Sequence, residues 1–92
     1  MFEVTNNKGV HITFPNGYSI SIQWGTINYC GNRARHLVLP SGFGQPVPAS
    51  ITAETAIRNP DDEFVLYKGA EVQGYQSVTD VLETMNYVAS LP

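Results

Sequence analysis

The fold is decided by the stretch Val10-His11-Ile12-Thr13-Phe14-Pro15-Asn16-Gly17-Tyr18-Ser19-Ile20-Ser21-Ile22-Gln23-Trp24. Apolar and polar residues alternate on both sides of Pro15-Asn16-Gly17, which is the period of a half-buried β-strand. Pro presets the backbone of the first turn position, and Asn and Gly tolerate positive φ. If Phe14 faces Tyr18, the apolar residues of both strands fall on one face, so turn and pattern specify the same register. The stretch therefore predicts an antiparallel hairpin with one apolar face.

Further strands are predicted on both sides of this hairpin, because short apolar runs recur between clusters of Gly, Pro, Asn and Asp. These strands cover residues 2–5, 51–57, 63–67 and 71–75, and a short strand lies within 36–39. The connection between the second and third of these strands is short, so we expect them to be antiparallel neighbours.

A helix is predicted to begin after Ser77, because Ser77 and Asp80 have the spacing of a capping box. Apolar residues then recur at helical spacing and define one face. These residues are Val78, Val81, Leu82, Met85 and Val88. We expect this face to cover the apolar face of the hairpin, with Val78, Val81, Leu82 and Met85 packed on Val10, Ile12, Phe14, Ile20 and Ile22.

The predicted fold class is α+β, with an antiparallel sheet of about five or six strands and one C-terminal helix packed on it. The 92 residues are expected to form one domain over positions 1–92. Residues 25–50 are rich in Gly and Pro, and a connection of that length in a small domain is frequently functional.

Charged residues make up 14% of the chain, well below the usual ~25%. A small chain with few charges often covers part of its surface with another chain, so a homo-oligomer is predicted. The net charge of −3 disfavours a nucleic acid polymer as a partner, since such binders usually carry a basic face.

The sequence also predicts a cytoplasmic location. No window approaches the ~20 apolar residues of a membrane span, so no membrane partner is expected. The single cysteine forms no internal disulfide, and no secretory signal precedes the first strand.

The charges are distributed unevenly. Residues 4–53 contain no Asp or Glu, whereas seven of the eight acidic residues lie from Glu54 onward. The Lys, Arg and His residues of the acid-free run are Lys8, His11, Arg33, Arg35 and His36. This distribution predicts a positive local potential, which attracts anions whatever the net charge is.

Within that run, residues 23–36 combine aromatic rings, side-chain amides and guanidinium groups between glycines, which suits a planar anionic ligand such as a nucleotide. Arg33 and Arg35 alternate, so in an extended segment they share one face and are expected to hold phosphate. Tyr29 is expected to stack on a base. The predicted ligand-binding residues are Trp24, Asn28, Tyr29, Asn32, Arg33, Arg35 and His36.

Two of these interpretations have alternatives. Trp24 is the last inward residue of the hairpin, so it is either a core residue or a stacking surface. Cys30 is either a small apolar residue or a nucleophile activated by His36 or His11, with Arg33 and Arg35 nearby. The chain has neither the paired ligands of a zinc site nor a phosphate-loop motif, so no metal and no cofactor are expected.

Several segments resemble small, uncharacterised accessory proteins of tailed phages. The hairpin from Gly9 to Gly17 and the stretches Ser21-Ile22-Gln23-Trp24-Gly25 and Asn28-Tyr29-Cys30-Gly31-Asn32-Arg33 carry the resemblance. Glu54-Thr55-Ala56-Ile57 and Val72-Gln73-Gly74-Tyr75-Gln76-Ser77 extend it into the second half. The resemblance implies a phage protein that acts in the host cytoplasm, where proteins of this size often inhibit host defence. One class of these inhibitors is the oligomeric sponge, which sequesters a nucleotide immune signal.

Three functions follow as expectations. The first is a non-enzymatic protein that binds and sequesters a small, nucleotide-like host immune signal. The second is a protein-binding inhibitor of a host defence protein, which uses an exposed sheet edge or the loop over residues 40–48. The third, and weaker, is a hydrolase that depends on Cys30.

Overall fold

A five-stranded antiparallel sheet with one helix packed on it forms the fold, as the sequence predicts. The computed structural model describes residues 1–5, 9–25, 30 and 50–92. Within these residues the elements are β1 (Phe2–Val4), β2 (Gly9–Thr13), β3 (Ser19–Gln23), β4 (Ala53–Arg58), β5 (Val72–Gln76) and α1 (Val78–Ala89). The strands lie in the order β1-β2-β3-β4-β5, so each strand pairs with its neighbour in sequence. The predicted α+β class is confirmed.

The β2–β3 hairpin has the predicted register. Val10 pairs with Ile22 and Ile12 with Ile20, while the Phe14 backbone N–H donates to the Tyr18 carbonyl at 2.9 Å. Gly17 adopts φ of +86°, a conformation that its lack of a Cβ makes inexpensive. The turn chemistry and the alternating pattern therefore act together to fix which side chains face the core.

The core lies between the central strands and α1. Pairing of Ile20 with Ile57 and of Ile22 with Thr55 continues the apolar face of the hairpin onto β4. The buried cluster comprises Ile20, Ile22 and Ala53. Half-buried residues that pack against it are Val10, Ile12, Phe14, Trp24, Val81 and Met85. The hairpin half of the predicted core is confirmed.

The N-terminus of α1 has the predicted capping box. The Ser77 hydroxyl oxygen accepts from the Asp80 backbone N–H at 3.1 Å, and the Ser77 N–H donates to the Asp80 carboxylate at 2.9 Å. Two of the helix N–H groups that lack intrahelical partners are satisfied in this reciprocal way.

The buried face of α1 differs from the predicted one. Thr84 and Val88 are buried, whereas Val78 is 82% exposed and Leu82 is 56% exposed. The Thr84 hydroxyl donates to the Asp80 carbonyl at 2.9 Å, so its polar group is satisfied within the helix and the side chain can be buried. The expectation that Val78 and Leu82 belong to the core is therefore wrong.

The hairpin turn is also tied to the far end of α1. The Asn16 side-chain amide donates to the Val88 carbonyl at 2.9 Å and to the Leu91 carbonyl at 2.8 Å. Its Oδ1 accepts from the Tyr18 N–H at 3.0 Å, which holds the side chain in place. One turn residue thereby satisfies two carbonyls at the C-terminal end of the helix, where intrahelical donors are lacking.

The predicted strand over residues 63–67 does not form. This segment makes only isolated bridges, Arg58 with Phe64 and Tyr67 with Ala70, because β5 pairs directly with β4. Asp62 and Lys68 both have positive φ and turn the chain on either side of the segment. The short strand predicted within 36–39 lies outside the described residues.

Ile20 and Leu82 have side chains of similar size and are both predicted core residues, but they differ in burial. Ile20→Ala should lower the free energy of unfolding by about 2–5 kcal/mol, since Ile20 is fully buried. Leu82→Ala should lower it by less than about 1 kcal/mol, since more than half of Leu82 is exposed. Urea unfolding of both variants measures the difference, and equal losses would contradict the position of α1.

The capping box predicts a specific response to acid. The Ser77 backbone N–H, and after it the Ser77 hydroxyl, hold the pKa of Asp80 below its ordinary value of 3.8. A carboxyl with a lowered folded pKa stabilises the fold above its unfolded pKa, and that stabilisation is lost as pH falls through the folded pKa. Thermal unfolding between about pH 6 and about pH 2.5 should therefore show a larger acid loss in the wild type than in Asp80→Asn. Stability curves against pH that run parallel for the wild type and Asp80→Asn would contradict the capping box.

Candidate ligand cleft

A cleft of about 380 Å³ opens between the end of β3, the start of β4 and the first turn of α1. Small-molecule sites typically measure ~300–1,000 Å³, so the cleft has the size of a site for a compact ligand. Its described lining residues are Ile22, Trp24, Ser50, Ile51, Thr52, Ala53, Gln76, Val78 and Val81.

Trp24 is placed in the cleft by the hairpin register. It follows β3 on the same face as Ile20 and Ile22, because side chains alternate along a strand. It is half-buried, packs against the core cluster and lines the cleft. The structure therefore places Trp24 both against the core cluster and in the lining of the cleft.

The cleft walls are apolar with a few neutral polar groups. Ile51 and Val78 are both strongly exposed at its edge. The polar lining residues are Ser50, Thr52 and Gln76. The Gln76 side-chain amide donates to the Gly74 carbonyl at 2.9 Å, which orients the side chain. None of the described lining residues is charged, so the described part of the cleft suits the flat, apolar portion of a ligand better than its charged portion.

Trp24 is the one predicted ligand-binding residue that the structure describes. The predicted residues Asn28, Tyr29, Asn32, Arg33, Arg35 and His36 lie outside the described residues. The chain enters the segment 25–49 after Trp24 and leaves it before Ser50, and both of these residues line the cleft.

Sequence reasoning missed the rest of the cleft. Val78 and Val81 were expected in the core, and Ser50, Ile51, Thr52 and Gln76 carry no motif. These residues come from separate segments that only the folded sheet brings together. The single local signal is Trp24 at the end of a hairpin strand.

Cys30 is buried, with 1% of its surface exposed. Its Sγ donates to the Gly25 carbonyl at 3.5 Å. Because almost no thiol surface is accessible, this environment favours the interpretation of Cys30 as a small packed residue over a nucleophile.

The face of the sheet opposite α1 carries polar side chains. The His11 Nδ1 lies 3.7 Å from a Glu3 carboxylate oxygen. Gln23 is buried there, and its amide donates to the Thr5 hydroxyl at 2.7 Å and to the Ser21 hydroxyl at 3.1 Å. These contacts hold β1, β2 and β3 together on their polar side and leave the cleft on the other side.

The described ranges contain neither a metal-binding cluster nor a membrane-spanning helix. No group of three or more His, Cys, Asp or Glu side chains there is placed to hold a metal ion. No helix in the same residues has the length and apolar character to cross a membrane.

Comparison with known proteins places the chain in no family. No family model, no curated protein and no solved structure matches it. The resemblance to tailed-phage accessory proteins therefore stays a prediction.

The burial of Cys30 predicts a protected thiol. In the native protein the reaction of Cys30 with an aromatic disulfide reagent should be at least about a hundredfold slower than in the urea-unfolded chain, because the thiol must first be exposed by local opening. Stopped-flow absorbance measures both rates. Rapid native reaction, faster than that of the unfolded chain at the same pH, would identify an activated thiol and support a Cys30-dependent hydrolase.

Proposed function

We propose that the protein binds a small, nucleotide-like anion in the cleft that Trp24 lines. One observation carries this proposal. Trp24 and Ser50, which precede and follow residues 25–49 in the sequence, line the same cleft. The predicted phosphate-binding residues therefore lie, in the sequence, between two residues of an apolar cleft that contains an aromatic ring.

The two parts of such a ligand have different requirements. The Trp24 ring, which lines the cleft, is the proposed stacking group for a base, with Ile51 and Val78 as apolar walls. Ser50, Thr52 and Gln76 supply neutral hydrogen-bonding groups near the base edges. Phosphate needs cationic donors, and Arg33 and Arg35 are the candidates that the sequence supplies.

The biological role proposed with this site is sequestration without chemistry. The phage resemblance supports a protein that binds a host immune signal in the host cytoplasm and holds it as a homo-oligomer. The burial of Cys30 supports binding rather than hydrolysis. The alternative, an inhibitor that binds a host defence protein, stays a prediction that the same experiments address.

A charge placed at the cleft edge tests the site. A screen of mono-, di- and cyclic nucleotides and ADP-ribose by thermal shift first identifies a ligand, since ligand at about 100 times its Kd stabilises a protein by about 2.7 kcal/mol. Val78→Glu should then weaken binding by at least about fivefold in calorimetry, because it brings a carboxylate near the ligand anion. The fold should persist, since Val78 is exposed and an acidic residue in the first helical turn is favourable.

Two variants serve as matched controls. Leu82→Glu adds the same charge one turn along α1, outside the described cleft lining, and should leave affinity within about twofold. Val78→Lys removes the same valine but adds a cation, so it should not weaken binding of the anionic ligand. If Val78→Glu and Leu82→Glu act alike, the ligand does not occupy this cleft. No thermal shift with any nucleotide would favour the protein-binding alternative.

The guanidinium groups are tested separately. Arg33→Ala and Arg35→Ala should each weaken binding by about ten- to a hundredfold, since a hydrogen bond to a charged group contributes roughly 1.5–3 kcal/mol. Lys68→Ala is the control, because Lys68 is exposed, lies over the Tyr67 ring and is not among the described lining residues of the cleft. Intrinsic fluorescence of Trp24, the only tryptophan, gives a second readout of ligand stacking.

A further inference from the structure

The edge of the sheet at β1 has a regular pattern of outward backbone groups. Met1 and Thr13 exchange two hydrogen bonds, of 2.7 and 2.8 Å, and the Thr5 N–H donates to the Gly9 carbonyl at 3.0 Å. Bonded and non-bonded pairs alternate along an antiparallel ladder. Met1, Glu3 and Thr5 therefore direct their backbone groups toward β2, and Phe2 and Val4 direct theirs away from the sheet.

The side chains of the same two residues are apolar and uncovered. Phe2 is 82% exposed and Val4 is 73% exposed. Their partners across the ladder are Ile12 and Val10, so they lie on the apolar face of the sheet. Among the described elements, α1 contacts β3, β4 and β5 and neither β1 nor β2. The β1 edge thus combines an apolar half-face with backbone groups that pair with none of the described strands.

The opposite edge lacks this regularity. The β4–β5 ladder contains a bulge between the partners of Ala53 and Thr55, and Tyr75 on β5 adopts φ of +52°. Bulges interrupt the row of backbone groups and protect an edge from pairing. Of the two edges that the described strands present, β1 is the one shaped for another strand.

We infer that the β1 edge pairs antiparallel with β1 of a second copy of this chain, across a two-fold axis at Glu3. An edge partner must supply alternating outward backbone pairs and an apolar half-face on the same side. A second copy supplies both through one rotation, because Phe2 then lies opposite Val4 and Val4 opposite Phe2. Four backbone hydrogen bonds form, and the two apolar half-faces become continuous across a ten-stranded sheet.

Glu3 sets the strength of this pairing. On the polar face the two Glu3 side chains lie directly opposite one another, and like charges in that position destabilise a strand pair. The dimer is therefore expected to be weak and to strengthen when the Glu3 charge is removed. The inference is independent of the ligand proposed above.

Sedimentation equilibrium of the full chain from about 10 µM to about 1 mM tests the interface, since small interfaces associate weakly. Glu3→Gln should tighten the dimer severalfold. Val4→Pro should weaken it by at least about tenfold, because Pro removes an outward donor while the Val4 N–H makes no bond to β2. Val4→Ile, which keeps both the donor and the apolar side chain, is the matched control and should dimerise as the wild type does.

Amide hydrogen exchange of the wild type keeps the proposal testable if Val4→Pro does not fold. Exchange at Phe2 and Val4 should slow as protein concentration rises, while exchange at Glu3, whose N–H faces β2, should change less. If the wild type and the Glu3→Gln variant are both monomeric over the whole concentration range, the proposal is overturned. The β1 edge would then be available only to a different protein. Dimerisation that Val4→Pro does not affect also overturns it.

Discussion

Register in the β2–β3 hairpin is the constraint on which the rest of the structure depends. A shift by one residue would move Ile20 and Ile22 to the polar face and bring Ser19 and Ser21 against α1. The same register continues onto β4 through the pairing of Ile20 with Ile57, and onto β1 through Phe2 with Ile12. It also places Trp24 at the cleft and Phe2 and Val4 at the apolar edge. The register of one hairpin therefore positions both the cleft and the β1 edge.

The parts of the fold that the sequence predicts well are those decided by neighbouring residues. The turn at Asn16 and Gly17 and the capping box at Ser77 and Asp80 have signatures within four positions, and both form as expected. The buried face of α1, in contrast, is not decided by neighbouring residues. A helical repeat of apolar residues identifies a stripe, but Thr84 is buried, with its hydroxyl bonded to the Asp80 carbonyl, and Leu82 is exposed. Only packing against the sheet decides between such neighbouring stripes.

The candidate cleft was even less accessible to sequence reasoning, because its lining is assembled from separate segments. Trp24 could be anticipated, since its position at the end of an alternating strand places an aromatic ring at the edge of the core. Ser50, Thr52 and Gln76 become neighbours of Trp24 only when β4 pairs with β3 and β5. The predicted strand over 63–67 failed for a related reason. Its apolar pattern is compatible with a strand, but β5 occupies the side of β4 with which the segment would have paired.

The two hydrogen bonds from Asn16 to the carbonyls of Val88 and Leu91 join positions 72 and 75 residues apart. The hairpin is local and can close within microseconds, whereas closing the connection between its tip and α1 must wait for most of the chain. During synthesis, at about 5–20 residues per second, the hairpin would emerge seconds before its helix. Through that interval α1 cannot cover the apolar face of the hairpin, which is therefore open to association with other chains until synthesis reaches the helix.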